Sequence, residues 1–552
     1  MKQQVRKVIN KILTELNYIS DFELKEPPEG INGDLSTNIP LCLSKKLKKS
    51  PKEVAEEVIS IMNQKYSDIF NRVEFSSPGF INFFLDKKVY LEEVKNIIKE
   101  KESYPIASKK DEKVLIEFVS SNPTGPLHIG HGRCAVIGDV LANILKQQGY
   151  EVYKEYYIND RGRQINILTA SVLKAMKEFG ANLEEEVYSW GIKVLSDGEY
   201  KGEYIKDVAR KLTERFKNKI HFSELNNIKV EVVNIVMEEI KDSLVRFRVL
   251  FDNYYSEESL YRDGLVEKML STLKQKDLVE EKENALWFKA KELGDDKDRV
   301  LVRNSGEPTY FLSDIAYHIT KLSRGYNWLI NIWGTDHHGY VKRLKSAVSS
   351  VVKEEFKFDI ILYQLVSILK NGQRIAMSTR EGKFITLTEV MEEVGVDVTR
   401  YFLITKTPNT HLDFDFDLAK EHSLKNPVYY IQYAHTRCCG ILREAKVDDK
   451  MLGDFSLVRI DEKTFTEQED ILIKKLCGYE DVLSACVSIL SPHLLCSYLL
   501  DLSRVFHKFY ESCRVIDTDA KVNFSRAVLV YATKIVLSNG LKLLGIEAPE
   551  KM

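Results

Sequence analysis

Cysteine is scarce in the chain, and no stretch is apolar enough to span a membrane. The eight cysteines include no Cys-x-x-Cys pair; two are adjacent and the others are scattered. This pattern argues against a zinc site or a disulfide framework and is typical of a reducing cytoplasm. No apolar run approaches the roughly 20 residues of a membrane span, and charges interrupt the apolar residues of the N-terminus, unlike a secretory signal. We therefore expect a cytoplasmic protein with no structural metal and no membrane contact.

The chain also lacks an excess of either charge. Lysine and arginine number 80, aspartate and glutamate 82, and the net charge is −2. A dedicated non-specific nucleic-acid binder is usually strongly basic, so any contact with nucleic acid must be confined to part of the molecule. The 552 residues are too many for one hydrophobic core, and length alone favours about three to four domains.

Hydrophobic periodicity divides the chain into three regions. Residues 1–108 mix helical and strand patterns and predict an α+β unit. Residues 109–415 alternate strand and helix patterns and predict a Rossmann-type parallel-sheet domain, with a charged, mostly helical insertion at about 160–290. Residues 416–552 carry long amphipathic helices and predict an all-α bundle. The predicted fold class is α/β, flanked by an α+β N-terminal domain and a C-terminal helical bundle.

Three local strand predictions accompany this plan. FSSPGFINFFL, at 75–85, is predicted to be one buried or half-buried strand. RVLVR, at 299–303, is predicted to help complete the parallel sheet. VLIEFVS, at 114–120, is the strongest strand signal, and a turn rich in glycine and proline joins it to a helix.

That turn contains GPLHIGHGR, residues 125–133, in which His128 and His131 lie three residues apart. A metal site, a phosphate site and a plain helix start are all open interpretations. Zinc would need a third or fourth ligand, and no His-Glu-x-x-His pattern supplies one. Phosphate is favoured, because the N-terminus of the helix offers unpaired N–H groups at the carboxyl end of a strand. Gly130 would let the ligand approach the backbone.

The wider stretch EFVSSNPTGPLHIGHGR matches the HIGH signature of class I aminoacyl-tRNA synthetases, and together with EYYINDRGRQI it resembles the arginyl-tRNA synthetase family. The resemblance continues through SSPGFINFFL, YKGEYI, PTYFLSDIAYH, WGTDHHGY, MSTREGKFITL and NPVYYIQYAHTR. It implies an enzyme that uses ATP with Mg²⁺ to join L-arginine to its cognate tRNA through an arginyl-adenylate, releasing AMP and pyrophosphate. It further implies a monomer whose first region contacts tRNA and whose bundle binds the anticodon.

Two other interpretations stay open. Small nucleotidyltransferases use the same histidine motif on the same fold, although they lack a C-terminal helical domain of this kind. A non-catalytic, synthetase-like protein that binds tRNA or senses arginine is favoured only by the absence of two lysines from the second motif of the class.

The resemblance also implies which residues bind arginine. The expected set is Glu117, Ser120, Asn122, His131, Tyr310, Asp314 and Asp336. The first three correspond to contacts with the α-amino and carboxylate groups, Tyr310 and Asp314 to contacts with the guanidinium, and Asp336 is a looser match. A guanidinium has five donors and pairs best with carboxylates, which fits Asp314. A lone buried carboxylate is costly without a partner, which favours a ligand-binding role for Glu117.

The second motif of the class, Lys-Met-Ser-Lys, departs from the family pattern here. Its lysines neutralise the leaving pyrophosphate, but positions 376–379 read Ala-Met-Ser-Thr. Some relatives carry a compensating lysine three residues before the first histidine, where this chain has Gly125. Among the nearby cations Arg374, Arg380 and Lys383, we predict that Arg380 takes over, which makes His128, His131 and Arg380 the expected catalytic residues. The expected ATP-binding residues are His128, Gly130, His131, Met377, Ser378, Arg380 and Lys383.

Contacts with tRNA are predicted in two places. Phe80 and Asn82 match family residues that hold a base of the D-loop, a combination of stacking and hydrogen bonding that suits a splayed base, although a core phenylalanine is equally compatible. In the first helix of the bundle, Tyr429, Tyr433 and Arg437 belong to an aromatic and basic cluster suited to stacking and phosphate contact. Tyr430 and His435 fall in the same cluster, and helical spacing requires some of its members to lie in the core.

Overall fold

The structure is a computed structural model that describes residues 1–28, 30–216, 219–375, 385–447, 451–452 and 465–552. An α+β region, a parallel-sheet region and a helical region follow one another along the chain, so the predicted fold class is confirmed. Within the described residues, no helix is long and apolar enough to cross a membrane.

The N-terminal region combines four helices with a four-stranded antiparallel sheet in the order β1-β2-β4-β3. Its elements are α1 Lys2–Glu15, β1 Leu24–Lys25, β2 Leu35–Thr37, α2 Ile39–Leu47, α3 Pro51–Lys65, β3 Phe70–Ser76, β4 Phe80–Leu85 and α4 Lys87–Glu100. The prediction of one strand at 75–85 is wrong, because the chain turns back at 77–79 between β3 and β4. The Ser-Pro-Gly sequence there has the residue types that favour a turn.

The central region is built on a five-stranded sheet in the order β12-β11-β5-β6-β7, in which every neighbouring pair is parallel. Its strands are β5 Lys113–Glu117, β6 Glu151–Ile158, β7 Asn253–Ser256, β8 Val279–Lys282, β9 Ala285–Phe288, β10 Arg299–Val302, β11 Trp328–Gly334, β12 Lys357–Tyr363, β13 Val366–Lys370, β14 Gln373–Ile375 and β15 Leu412–Asp415. The chain order reverses between β5 and β11, and ligands bind at such a switch point in open parallel sheets.

Two predictions in this region, one of an insertion and one of a strand, need correction. The stretch at 160–290 is more than an insertion, because it contains β7, the edge strand of the parallel sheet. The strand predicted at 299–303 is present as β10, but it pairs with β9 in a separate three-stranded antiparallel sheet. Short apolar runs predict a strand without indicating which sheet it joins.

Helices cover the parallel sheet and form the C-terminal bundle. They are α5 Ile129–Gln147, α6 Arg163–Glu178, α7 Glu185–Leu195, α8 Glu203–Arg215, α9 Leu225–Arg246, α10 Glu257–Arg262, α11 Leu265–Gln275, α12 Tyr310–Ser323, α13 His338–Val351, α14 Leu387–Val394, α15 Val396–Ile404, α16 Phe416–Lys420, α17 Pro427–Glu444, α18 Glu467–Cys477, α19 Tyr479–Ser488, α20 His493–Ser512 and α21 Phe524–Leu543. Helix α4 of the first region packs against α18 and α21, and α5 packs against α15 and α19. The bundle is therefore in contact with both other regions.

Candidate active site

The two motif histidines lie at the start of α5 and cap it reciprocally. His128 is the N-cap residue, and its Nδ1 accepts hydrogen bonds from the backbone N–H groups of Gly130 (3.1 Å) and His131 (3.3 Å). Nδ1 of His131 in turn accepts from the backbone N–H of His128 (3.4 Å). In a neutral imidazole whose Nδ1 is an acceptor, Nε2 carries the hydrogen. The capping arrangement therefore selects one tautomer for both rings.

The two rings stack on each other, with centroids 3.7 Å apart and an interplanar angle of 15°. Burial lowers the pKa of both imidazoles, and for His131 the neighbouring His128 lowers the pKa further. Both rings are neutral at pH 7, so each presents one Nε2–H donor at a helix N-terminus, which suits an anion. A Cβ on Gly130 would lie only 2.9 Å from Cε1 of His128, so the glycine makes room for the stacked ring.

A cavity of about 440 Å³ lies at the carboxyl ends of β5, β6 and β7, where a parallel sheet binds ligands. Three of the predicted arginine-binding residues, Asn122, Tyr310 and Asp314, line it together. Residues that the sequence analysis did not identify complete much of the wall: Tyr157, Asn159, Gln164, Glu257, His337 and Tyr340. The amide nitrogen of Asn122 donates to Oε1 of Gln164 (2.6 Å).

Asp314 is the predicted guanidinium partner, and it lies on α12 facing the cavity. The hydroxyl of Tyr340 donates to its Oδ2 (2.5 Å). Burial raises the pKa of Asp314 to about 7, the Tyr340 hydrogen bond opposes this rise, and the negative charge of Glu117 adds to it. The carboxylate is thus costly to ionise until a cation enters the cavity.

Glu257 is the main residue of the cavity that sequence reasoning missed. It opens α10 directly after β7, is 2% exposed, and its Oε2 has no hydrogen-bond partner among the described residues. Burial raises the pKa of Glu257 to about 8, the charge of Asp314 adds to the rise, and the charge of Arg161, which also lines the cavity, opposes it. Asn159, directly after β6, also has a buried side-chain oxygen without a partner there. The signal that could have found Glu257 is a carboxylate at the end of a parallel strand, but this strand lay inside the predicted insertion.

Glu117 and Ser120 lie beneath the cavity rather than in its wall. Oε2 of Glu117 accepts from the fully buried Nζ of Lys321 (2.5 Å), and its Oε1 accepts from the hydroxyl of Ser120 (3.1 Å). Lys321 also donates to the side-chain oxygen of Asn331 (3.2 Å). Glu117 therefore has a protein partner, a lysine on α12 that neutralises it, so its burial does not by itself indicate a ligand.

Asp336 is not brought together with the other predicted arginine-binding residues. Its side chain is 81% exposed at the end of β11, and its carboxylate lies 3.5 Å from Nε2 of His337. His337, the next residue, lines the cavity in its place.

The predicted second-motif residues Met377, Ser378, Arg380 and Lys383 lie outside the described residues. The segments on either side of them are described. Leu387 donates its backbone N–H to the carbonyl of Leu127 (2.7 Å), and Thr386 forms an antiparallel bridge with His128. On the other side, Arg374 of β14 pairs with Asp413 (3.1 Å). Backbone hydrogen bonds thus connect the segment that follows the second motif to the histidine motif at the start of α5.

Family models match the chain in three successive blocks. The arginyl tRNA synthetase N terminal domain matches residues 1–85, the catalytic domain of class I tRNA synthetases (R) matches 93–415, and the DALR anticodon binding domain matches 431–552. The chain belongs to the arginyl-tRNA synthetase family. It is an enzyme that joins arginine to tRNA, so the predicted activity is confirmed, and the non-catalytic alternative is not favoured. As a class I synthetase it uses ATP.

Relatives with curated names match this arginyl-tRNA synthetase over nearly its whole length. It is 42% identical to the arginine–tRNA ligase of Carboxydothermus hydrogenoformans, over 96% of this chain and 94% of that protein. It is 39% identical to the arginine–tRNA ligase of Thermotoga maritima, over 100% and 99% of the two chains. The solved arginyl-tRNA synthetase of Thermus thermophilus, 21% identical, covers 100% of both chains with a TM-score of 0.78 and shares the fold.

In the N-terminal region of the synthetase, Phe80 and Asn82 occupy the same face of β4. Phe80 is half-buried, whereas Asn82 is 5% exposed, and its amide donates to the backbone carbonyl of Asn32 (3.3 Å). At the predicted D-loop contact, the ring of Phe80 is therefore partly accessible, whereas the amide of Asn82 already has a partner within the protein.

On α17 the predicted tRNA-binding residues form two separate contacts. Tyr433 stacks on His507, with ring centroids 5.6 Å apart, and the Arg437 guanidinium lies over Tyr433 (5.3 Å) and Tyr510 (4.8 Å). Tyr429 instead hydrogen-bonds His422 (2.5 Å). His435 of the predicted cluster is buried and bonded to the carbonyl of Pro549 (2.9 Å), so it belongs to the core.

Proposed function

We propose that the enzyme activates arginine with ATP to arginyl-adenylate and then transfers the arginyl group to the terminal adenosine of tRNA. Arginine occupies the cavity of about 440 Å³, and the ATP phosphates lie against the N-terminus of α5. The observation that carries this proposal is the pair of buried carboxylates, Asp314 and Glu257, that line one cavity; Oε2 of Glu257 has no hydrogen-bond partner in the part of the chain that the structure describes.

The guanidinium of arginine satisfies this pair. It is planar, permanently charged and carries five N–H donors, so it can donate to both carboxylates at once. Its entry removes the electrostatic cost that raises the pKa of Asp314 and Glu257, because an opposite charge stabilises the ionised form. Tyr310, which is 56% exposed at the start of α12, covers the side chain from solvent.

The α-amino and carboxylate groups of arginine point toward β5. Asn122 supplies an amide in the cavity wall, held by Gln164. Ser120 and Glu117 support this end from below through their hydrogen bond, and Lys321 neutralises Glu117. His131, in the first turn of α5, also contacts the bound arginine, and Asp336, which is exposed after β11, contacts the substrates once they are bound.

The reaction needs positioning and charge stabilisation more than a side-chain base. A carboxylate oxygen of arginine attacks the α-phosphorus of ATP, a new P–O bond forms, and the bond to the β-phosphate oxygen breaks to release pyrophosphate. The 2′-hydroxyl of the terminal adenosine then attacks the arginyl carbonyl, and AMP leaves. His128 and His131 donate from Nε2 to phosphate oxygens, Gly130 leaves room for their rings, and Mg²⁺ bound with ATP offsets the phosphate charge.

The remaining parts of the proposal concern the second motif and the tRNA. Arg380, together with Met377, Ser378 and Lys383, meets the β- and γ-phosphates. Phe80 with Asn82, and the Tyr429, Tyr433 and Arg437 group, contact tRNA. Residues 1–108, 109–415 and 416–552 act as the tRNA-contacting, catalytic and anticodon-binding domains of a cytoplasmic monomer without a structural metal.

Charging of tRNA with each amino acid, in the presence of ATP and Mg²⁺, tests the proposal. We expect charging with arginine alone, and a loss of about hundredfold or more in kcat/KM for arginine in Asp314→Asn and Glu257→Gln, since each removes a buried charge partner. Glu258→Gln is the matched control, because this neighbouring carboxylate is 56% exposed and is not among the residues that line the cavity. Full activity of Glu257→Gln would remove that residue from the arginine site.

A further inference from the structure

Arg133, in the second turn of α5, is a fully buried arginine next to the motif histidines. Its side chain is 0% exposed. Nη1 donates to the backbone carbonyl of Gln364 (2.8 Å) and Nη2 to that of Thr407 (3.0 Å), while Nε has no hydrogen-bond partner in the described part of the chain. Carbonyl oxygens satisfy the donors of a guanidinium without neutralising its charge.

No described carboxylate lies within ion-pair distance of Arg133, so no nearby negative charge balances its guanidinium. Arg400, which is equally buried, differs in this respect, because its Nη2 lies 2.6 Å from Oδ2 of Asp139. Burial lowers the pKa of Arg133 to about 10, so its side chain is still a cation at neutral pH. A buried charge without a counter-ion is costly, and such a cost is compensated when a ligand supplies the opposite charge.

Arg133 also connects the two segments that carry the motifs of the class. Gln364 separates β12 from β13, and β13 leads through β14 to the second motif. Thr407 precedes β15, which pairs with β13 in parallel. The guanidinium therefore holds both strands of this small sheet against the helix that begins at His128.

We propose that Arg133 is a positioning residue for the departure of pyrophosphate. It places a buried positive charge behind the phosphate-binding end of α5, in a chain whose second motif lacks both lysines. The inference rests on the proposed function, because it requires ATP at the two histidines. Five residues of helix place Arg133 about 8 Å along the axis from His128. At an effective dielectric constant of about 20, one unit charge at that distance changes a rate or affinity about thirtyfold.

The test compares Arg133→Met, Arg133→Lys and Arg400→Met in the full-length enzyme. The measurements are tRNA arginylation with KM for arginine and ATP, inhibition by inorganic pyrophosphate, and the midpoint of thermal unfolding. For Arg133→Met we expect kcat to fall, and the pyrophosphate inhibition constant to rise, by about thirtyfold, with KM for arginine within about twofold of wild type, because the lost charge acts on phosphate alone.

The lysine variant and the control separate charge from structure. Arg133→Lys keeps the positive charge but cannot donate to two carbonyls in the way a planar guanidinium does. Its inhibition constant for pyrophosphate should therefore stay within about threefold of wild type. Arg400→Met removes an equally buried arginine and should lower the unfolding midpoint while leaving the pyrophosphate constant unchanged.

Two results would overturn the proposal: a pyrophosphate constant raised equally in Arg133→Met and Arg133→Lys, or one raised equally in Arg133→Met and Arg400→Met. If the methionine variant does not fold, Arg133→Gln replaces it, because glutamine keeps hydrogen-bond donors without the charge; a pyrophosphate constant raised about thirtyfold then supports the role of the charge and a wild-type constant refutes it. Wild-type enzyme that fails to charge tRNA with arginine would refute the proposed function instead.

Discussion

In the proposed arginine site, Asp314 and Glu257 impose an electrostatic condition on binding. Burial raises the pKa of Asp314 to about 7 and that of Glu257 to about 8, so the free cavity binds protons near neutral pH. A guanidinium keeps its charge throughout this range, and it stabilises the ionised carboxylates. Arginine and protons therefore compete for the same two groups, which titrate as a pair.

The affinity for arginine is expected to rise with pH between 6 and 8. Both carboxyl groups have a raised pKa in the free cavity and a lower one beside arginine, so binding releases protons. Affinity then falls as pH drops below about 8 and again below about 7, by up to about tenfold per pH unit for each proton released. Calorimetric titration with arginine at several pH values, in two buffers of different ionisation enthalpy, measures both the affinity and the number of protons released. An affinity independent of pH in this range would contradict the expectation, and Glu257→Gln should reduce the slope.

At the scale of elements, the two histidines at the start of α5 cap the helix and are also the proposed phosphate donors. Nδ1 of His128 satisfies two backbone N–H groups of the first turn, which leaves Nε2 as the ring donor. Replacing the residue by alanine removes both functions at once, so loss of activity in that variant does not identify the donor.

Asparagine at position 128 separates the two functions. An asparagine side chain caps a helix well but is too short to replace Nε2. We expect His128→Asn to keep the stability of wild type and to lose about hundredfold in kcat, as for loss of one donor in an oxyanion-binding site. His128→Ala should lose a similar factor and, in addition, about 1 kcal/mol of stability. Urea unfolding and single-turnover adenylate formation measure the two effects, and equal stability of the two variants would contradict the capping role.

Helix α12 shows which elements the sequence could not describe in full. Its existence follows from helical periodicity, but it also carries Asp314 and the buried Lys321, and Arg324 follows directly at its C-terminal end. Lys321 pairs with Glu117, and Arg324 pairs with the fully buried Glu155 at 2.6 Å. Helical periodicity is recognised from an apolar inner face. It therefore predicts the helix but not the charged residues of α12 that form buried ion pairs.

At the scale of the whole molecule, the residues proposed to contact tRNA and the cavity proposed to bind arginine lie in different regions of the chain. The group of Tyr433, Arg437, His507 and Tyr510 lies on α17 and α20 of the bundle. Aromatic rings with an arginine guanidinium form a platform on which nucleobases stack. Its energetic contribution should therefore appear in the binding of tRNA and not in that of arginine.

Arg437→Ala is expected to raise KM for tRNA about tenfold, because one stacking and phosphate contact is lost. KM for arginine and for ATP should stay at their wild-type values. Arg443→Ala, on the same helix outside the aromatic group, controls for the loss of a surface charge. A change in KM for arginine in Arg437→Ala, with KM for tRNA unaltered, would show that this face does not bind tRNA.

The amino-acid sequence by itself determined the fold class, the histidine pair and the family, because each depends on residues close together in the chain. Strand, turn and helix follow one another within residues 113–147, and the motif fits into that order. Only the tertiary structure decided that Glu257 and Asp314 line one cavity, that Lys321 neutralises Glu117, and that Arg133 has no counter-ion among the described residues. Each of these depends on contacts between segments distant in sequence, and the charge of a buried group is set by such neighbours and by the loss of water.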